Sequence, residues 1–114
     1  MKVAGIGFRA EATAAAIHDA LGGAQVDALA TLDRKAEALR GLIPGLPVVG
    51  VAQTALAGVE TSTTSPRVLA EFGTGSLAEA TALVAAGPQA RLIVTRRISS
   101  DGMATAAIAE GQDG

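Results

Sequence analysis

The chain has 114 residues, 49% of them apolar but only 2% aromatic, and a formal charge of −2. That length fits one domain, residues 1–114, with a core of Ala, Val, Leu and Ile around two rings, Phe8 and Phe72. With no cysteine and one histidine, disulfides, thiolate chemistry and Cys- or His-built metal centres are excluded, and scattered Lys and Arg with so few aromatics argue against nucleic acid.

KVAGI, residues 2–6, is a short apolar run before Gly7, the pattern of a buried strand. It is too short for a signal peptide, and no run approaches the ~20 apolar residues of a membrane span, so a soluble, cytoplasmic chain is expected. A helix is predicted over residues 11–21, with Ala14, Ile17 and Leu21 on one face and Gly22-Gly23 as its stop. VDALATL, residues 26–32, reads as a second strand, after which Asp33 is expected to cap a helix reaching Arg40 and closed by Gly41. Pro44-Gly45-Leu46-Pro47 is a turn, PVVGV at 47–51 a third strand, and 52–57 a short helix.

ETSTTS, residues 60–65, has no periodicity and is expected to be a mobile loop. Ser65-Pro66 gives an N-cap with Pro at the first helical position, for a helix ending at Gly73. Ser76-Leu77-Ala78-Glu79 matches a capping box, Ser bonding forward and Glu back, for a helix that reaches Ala86 before Gly87-Pro88. RLIVTR (91–96) and MATAAIA (103–109) are two strands joined through Ser99-Ser100-Asp101-Gly102, and residues 111–114 are expected to fray. Three early strands separated by helices pair in parallel and the closing hairpin is antiparallel. A three-layer α/β/α domain with a mixed sheet follows.

Three stretches could carry chemistry. Gly5, Gly7 and Ala10 have the G-x-G-x-x-A spacing that can cradle a dinucleotide phosphate, or any anion, at a helix start with Arg9 beside it. Asp33, 26 residues beyond Gly7 where about 20 is usual, is a weak match for the ribose carboxylate. Thr31-Leu32-Asp33-Arg34-Lys35 lies where a parallel strand enters a helix, at the sheet edge where ligands bind. Gly73-Thr74-Gly75-Ser76 is a second glycine-rich helix start, also explained by capping alone. His18 reads as a partly exposed helix residue beside the Ile17 and Leu21 face, and Arg91, Arg96 and Arg97 as solvated strand ends unless they face a carboxylate.

GIGFR at the first strand, ATLDRK at 30–35, GSLAEATAL at 75–83 and a closing basic strand followed by ATAAIA resemble the CobE family. CobE proteins belong to cobalamin biosynthesis and are similar to the C-terminal domain of CbiG; the resemblance spans residues 3–109. It implies a mixed five-stranded sheet between helices with ribonuclease H-like topology. The carboxylate that nucleases of that topology carry on the first strand is missing from KVAGIG, so nuclease chemistry does not carry over. Two departures stand out: Phe8, Arg9 and Ala10 follow GIG where the family often has Cys and a basic pair, and Arg96 or Arg97 replaces the more usual Lys.

The resemblance implies a protein that binds a polycarboxylate corrinoid intermediate as carrier or accessory factor, on the aerobic route, with other cobalamin-pathway enzymes as further partners. The expected ligand-facing edge is Gly5, Gly7, Phe8, Arg9, Asp33, Lys35, Gly73, Gly75 and Ser76, with no cofactor or metal. Two alternatives stand beside it. One is a hydrolase acting on the lactone or acetyl group of a precorrin-5-type intermediate, with His18, Asp33 or Glu79 to activate water. The other is a nucleotide-binding module using Gly5, Gly7 and Asp33. Whether the chain is an enzyme stays open.

Overall fold

A computed structural model describes residues 1–111. The end expected to fray beyond Gly111 lies outside them, while Gly111 itself donates its N–H to the Met1 carbonyl at 2.9 Å. The elements are β1 (Lys2–Phe8), α1 (Ala14–Leu21), β2 (Ala28–Leu32), α2 (Ala36–Leu42), β3 (Val48–Val51), α3 (Pro66–Phe72), α4 (Leu77–Ala86), β4 (Arg91–Ile98) and β5 (Ala104–Glu110).

One five-stranded sheet runs β3-β2-β1-β5-β4. The first three strands are parallel, and β5 enters antiparallel between β1 and β4. The expected mixed five-stranded sheet is thus present.

Side chains alternate across a strand, and here both faces are apolar because helices cover both. Ala4, Ile6, Leu29 and Ile108 pack with Ile17, Ala20 and Leu39 on the α1–α2 side. Val3, Ala30, Leu32 and Val51 pack with Leu56, Phe72 and Ala80 on the α3–α4 side. The three layers are the ones expected. Among the described residues no single helix is long and apolar enough to cross a membrane; α3 and α4 would pass together on length and composition, but they are bent by 51°.

Several boundaries move for local reasons. β1 continues through Gly7 to Phe8, paired with Thr105 and Ala104, so the glycines lie in a strand. Helix α1 starts only at Ala14, where the Thr13 hydroxyl accepts the Ala16 N–H at 3.2 Å. Asp33 makes no capping hydrogen bond and opens a single 3₁₀ turn (Asp33–Lys35) before α2, which runs through Gly41. The helix expected over 52–57 is another 3₁₀ turn, Gln53–Ala55. At the hairpin, Ser100 donates its N–H (2.7 Å) and hydroxyl (2.9 Å) to Asp19 of α1. Those donors, the backbone N–H above all, hold the Asp19 carboxyl below its usual range.

Candidate functional site

Parallel β1 and β2 deliver their carboxyl ends to the same edge of the sheet, the place where open α/β sheets bind ligands. A cavity of about 380 Å³ opens there. Ile6, Gly7, Phe8 and Arg9 come to it from β1, and Thr31, Leu32, Arg34 and Lys35 from β2 and its 3₁₀ turn. The far wall is Arg67, Val68, Glu71 and Phe72 of α3 with Ser76, Leu77 and Thr81 at the start of α4. Arg96 and the start of β5 close it.

Charge is the cavity's distinguishing property. The chain carries nine Lys and Arg and eleven Asp and Glu. Five of those cations, Arg9, Arg34, Lys35, Arg67 and Arg96, line the cavity, against one acid, Glu71. A chain that is acidic as a whole therefore presents a cationic cleft.

Each cation has a local reason for its position. Lys35, half-buried, lies with its ammonium 4.6 Å from the centroid of the Phe8 ring and donates to the Phe8 carbonyl. Burial lowers its pKa first, and the neighbouring Arg34 lowers it further against a smaller pull from Glu11. Arg96 sits where β4 slips register against β5 between Val94 and Arg97. Its backbone N–H leaves the ladder and donates to Glu79 Oε2 at 2.8 Å, as a β-bulge allows. Arg67 lies in the first turn of α3, just after Pro66.

Glu79 does not complete the capping box. The Ser76 hydroxyl accepts the Glu79 N–H at 3.2 Å, as the motif requires. The Glu79 carboxylate, fully buried, instead accepts the Thr63 N–H at 3.0 Å and the Arg96 N–H. It thereby fastens the 60–65 loop and the bulge of β4 to the start of α4. The loop expected to be mobile is held again by Ser65, whose N–H donates to the Gly75 carbonyl at 2.7 Å. Gly75 is required there, because a Cβ would come within 2.5 Å of Thr61 Oγ1 and 2.6 Å of the Thr63 carbonyl.

The structure brings Gly7, Phe8, Arg9, Lys35 and Ser76 together at the cavity. It leaves four of the expected residues elsewhere. Gly5 is buried in mid-strand, paired with both Ala30 and Ala107. Its backbone serves the sheet, and the strand-turn-helix loop of a dinucleotide site does not form around it. Asp33 is exposed outside the cavity, Gly73 is the left-handed C-cap of α3 at φ 72°, and Gly75 supports the loop. His18, too, is exposed on α1 away from the cavity, and Arg97 turns to the α1 C-terminus, donating from Nε to the Ala20 carbonyl at 3.4 Å. Thr31 and Arg34, from the candidate stretch after β2, also reach the cavity, whereas Arg67, Glu71 and Thr81 have no place among the residues expected from the sequence to face a ligand. The available signal was the Ser65-Pro66 helix start, which places Arg67 in a first turn beside the strand ends.

These features define a small three-layer α/β domain with a cation-lined cleft at the carboxyl ends of its parallel strands. The chain belongs to the cobalamin synthesis G C-terminus family, whose model matches residues 2–109. It is similar to CobE, a protein from the cobalamin (vitamin B12) biosynthetic pathway: 34% identity and a TM-score of 0.77, covering 96% of this chain and 89% of that one. It is also similar to the cobalamin biosynthesis protein chiG from Agrobacterium tumefaciens strain C58, at 35% identity and a TM-score of 0.68 over 99% of this chain and 100% of that one. No curated protein is a match.

Proposed function

We propose that this protein binds a polycarboxylate corrinoid intermediate of cobalamin biosynthesis in the cationic cleft, as a carrier or accessory factor. The observation that carries the reading is the gathering of five of the chain's nine cations around one cavity with a single acid. They come from the residue just after β1, the turn after β2, α3 and β4, so they surround a ligand instead of lining one loop. That arrangement suits a body with carboxylates on several sides better than one phosphate chain. Ile6, Leu32, Val68, Phe72 and Leu77 supply the apolar floor on which the ring edge of such a body rests.

The test is gel filtration with hydrogenobyrinic acid, a coloured corrin polycarboxylate, followed by visible absorbance. Colour is expected to elute with the protein. In an Arg9→Ala/Arg67→Ala variant two charge-assisted contacts of about 1.5–3 kcal/mol each are lost, weakening binding roughly a hundredfold or more. Colour found only in the small-molecule fraction with the wild-type protein would count against the reading.

A further inference from the structure

A second cleft, about 390 Å³, lies on the other side of Phe8 and Lys35. It shares Phe8, Arg34 and Lys35 with the cationic cavity, so these three side chains form a wall between the two. Beyond the wall the chemistry changes. The remaining lining is Ala10 and Ala12 from the β1–α1 connection and Ala38, Gly41 and Leu42 from α2, with no charged group among them. Residues 38, 41 and 42 fall on one side of α2, whereas Ala36 and Leu39 on its other side are buried in the core. The nearest long cation on this helix, Arg40, turns away and donates from Nη2 to the Val48 carbonyl at 3.1 Å. A Cβ placed on Gly41 would meet nothing within 4 Å, so there is open space directly over this position of the helix.

We infer that this apolar cleft is an annex of the binding site, seating the apolar flank of the same ligand whose carboxylates enter the cationic cavity. The inference rests on the functional reading above and narrows it. The ligand is a polycarboxylate with a rigid apolar body wide enough to lie across the Phe8–Lys35 wall. Continuity through shared residues and charge at only one end argue for one occupant over two. Arg34 and Lys35, facing both clefts, pair with carboxylates at the edge of that body, while Ala and Gly let its flat face approach the α2 backbone. A small acid without such a body would fill only the cationic side.

The experiment fills the annex and leaves the cations untouched. Ala38 and Gly41 are exposed, so Ala38→Trp and Gly41→Leu are expected to fold, with thermal melting as the check. Hydrogenobyrinic acid is titrated against wild type and each variant by visible absorbance. Both variants are expected to bind at least tenfold more weakly without any fall in melting temperature. Wild-type affinity in both well-folded variants would overturn the annex and leave the functional reading standing. No binding by the wild-type protein would overturn the functional reading, and the annex with it.

Discussion

Glu79 is the residue on which the cavity's back wall hangs. Its side chain is fully buried, and each oxygen accepts one backbone N–H, from Thr63 and from Arg96. Removing the carboxylate leaves two part-buried donors without a partner, at about 1–2 kcal/mol each. Glu79→Ala is therefore expected to lower the melting temperature by roughly 10 °C or more, and Glu79→Gln, which keeps one acceptor, by about half as much. Thermal unfolding followed by circular dichroism measures both. A Glu79→Ala protein melting together with wild type would show that the two bonds contribute little. The sequence gives the forward half of the cap at Ser76. It cannot give the partners of Glu79, because Thr63 and Arg96 are 16 and 17 residues away and meet only after α4 has packed on the sheet.

Close packing between elements explains the glycines that sequence spacing assigned to a ligand. Helix α4 lies so near β1 that a Cβ on Gly5 would strike the Ala78 carbonyl and approach Thr81 Oγ1 at 2.6 Å and Ala82 N at 2.7 Å. Neither helix nor strand backbone can yield there without disturbing its ladder. Gly5→Ala should destabilise by about 1–3 kcal/mol or more, whereas Gly41→Ala, on an open side of α2, should be neutral or stabilise by up to ~1 kcal/mol. Denaturant unfolding of the two variants separates the cases, and equal stabilities would refute the packing account.

The same scale shows what could be read from the chain. All five strands and the two later helices are legible because an apolar run, Pro66 and the Ser76 cap mark them locally. The dinucleotide reading fails because G-x-G spacing also serves a strand that must pass under a helix. The helix expected from Asp33 begins only at Ala36, behind a 3₁₀ turn, and the one expected at Ala52 shrinks to such a turn, since neither start gains a side-chain cap. Of the site, the β1 and β2 ends could be anticipated from parallel topology. Arg34 and Arg67 could not be assigned to a common cavity, as their meeting depends on the loop that Glu79 and Gly75 hold in place.

For the whole molecule the decisive feature is the mismatch between total charge and its distribution. With a formal charge of −2, the protein as a body repels a polyanion weakly, yet five cations focus an attractive potential into one cleft. Attraction of that kind falls as salt shortens the screening length, from about 10 Å at 0.1 M to about 3 Å at 1 M. Apolar contact with the annex does not weaken in this way. Affinity for hydrogenobyrinic acid is therefore expected to drop roughly tenfold or more between about 0.05 and 0.5 M sodium chloride, then level off where the apolar contribution remains. Arg67→Ala should flatten that salt dependence because one of the responding charges is gone. Arg91→Ala should not, since Arg91 lies outside the cleft and pairs with Glu110 at 3.5 Å on the exposed edge strand. A corrin affinity that ignores salt, or that responds equally to both substitutions, would mean that net surface charge or apolar contact alone governs recognition and that the clustering of cations has no part in it.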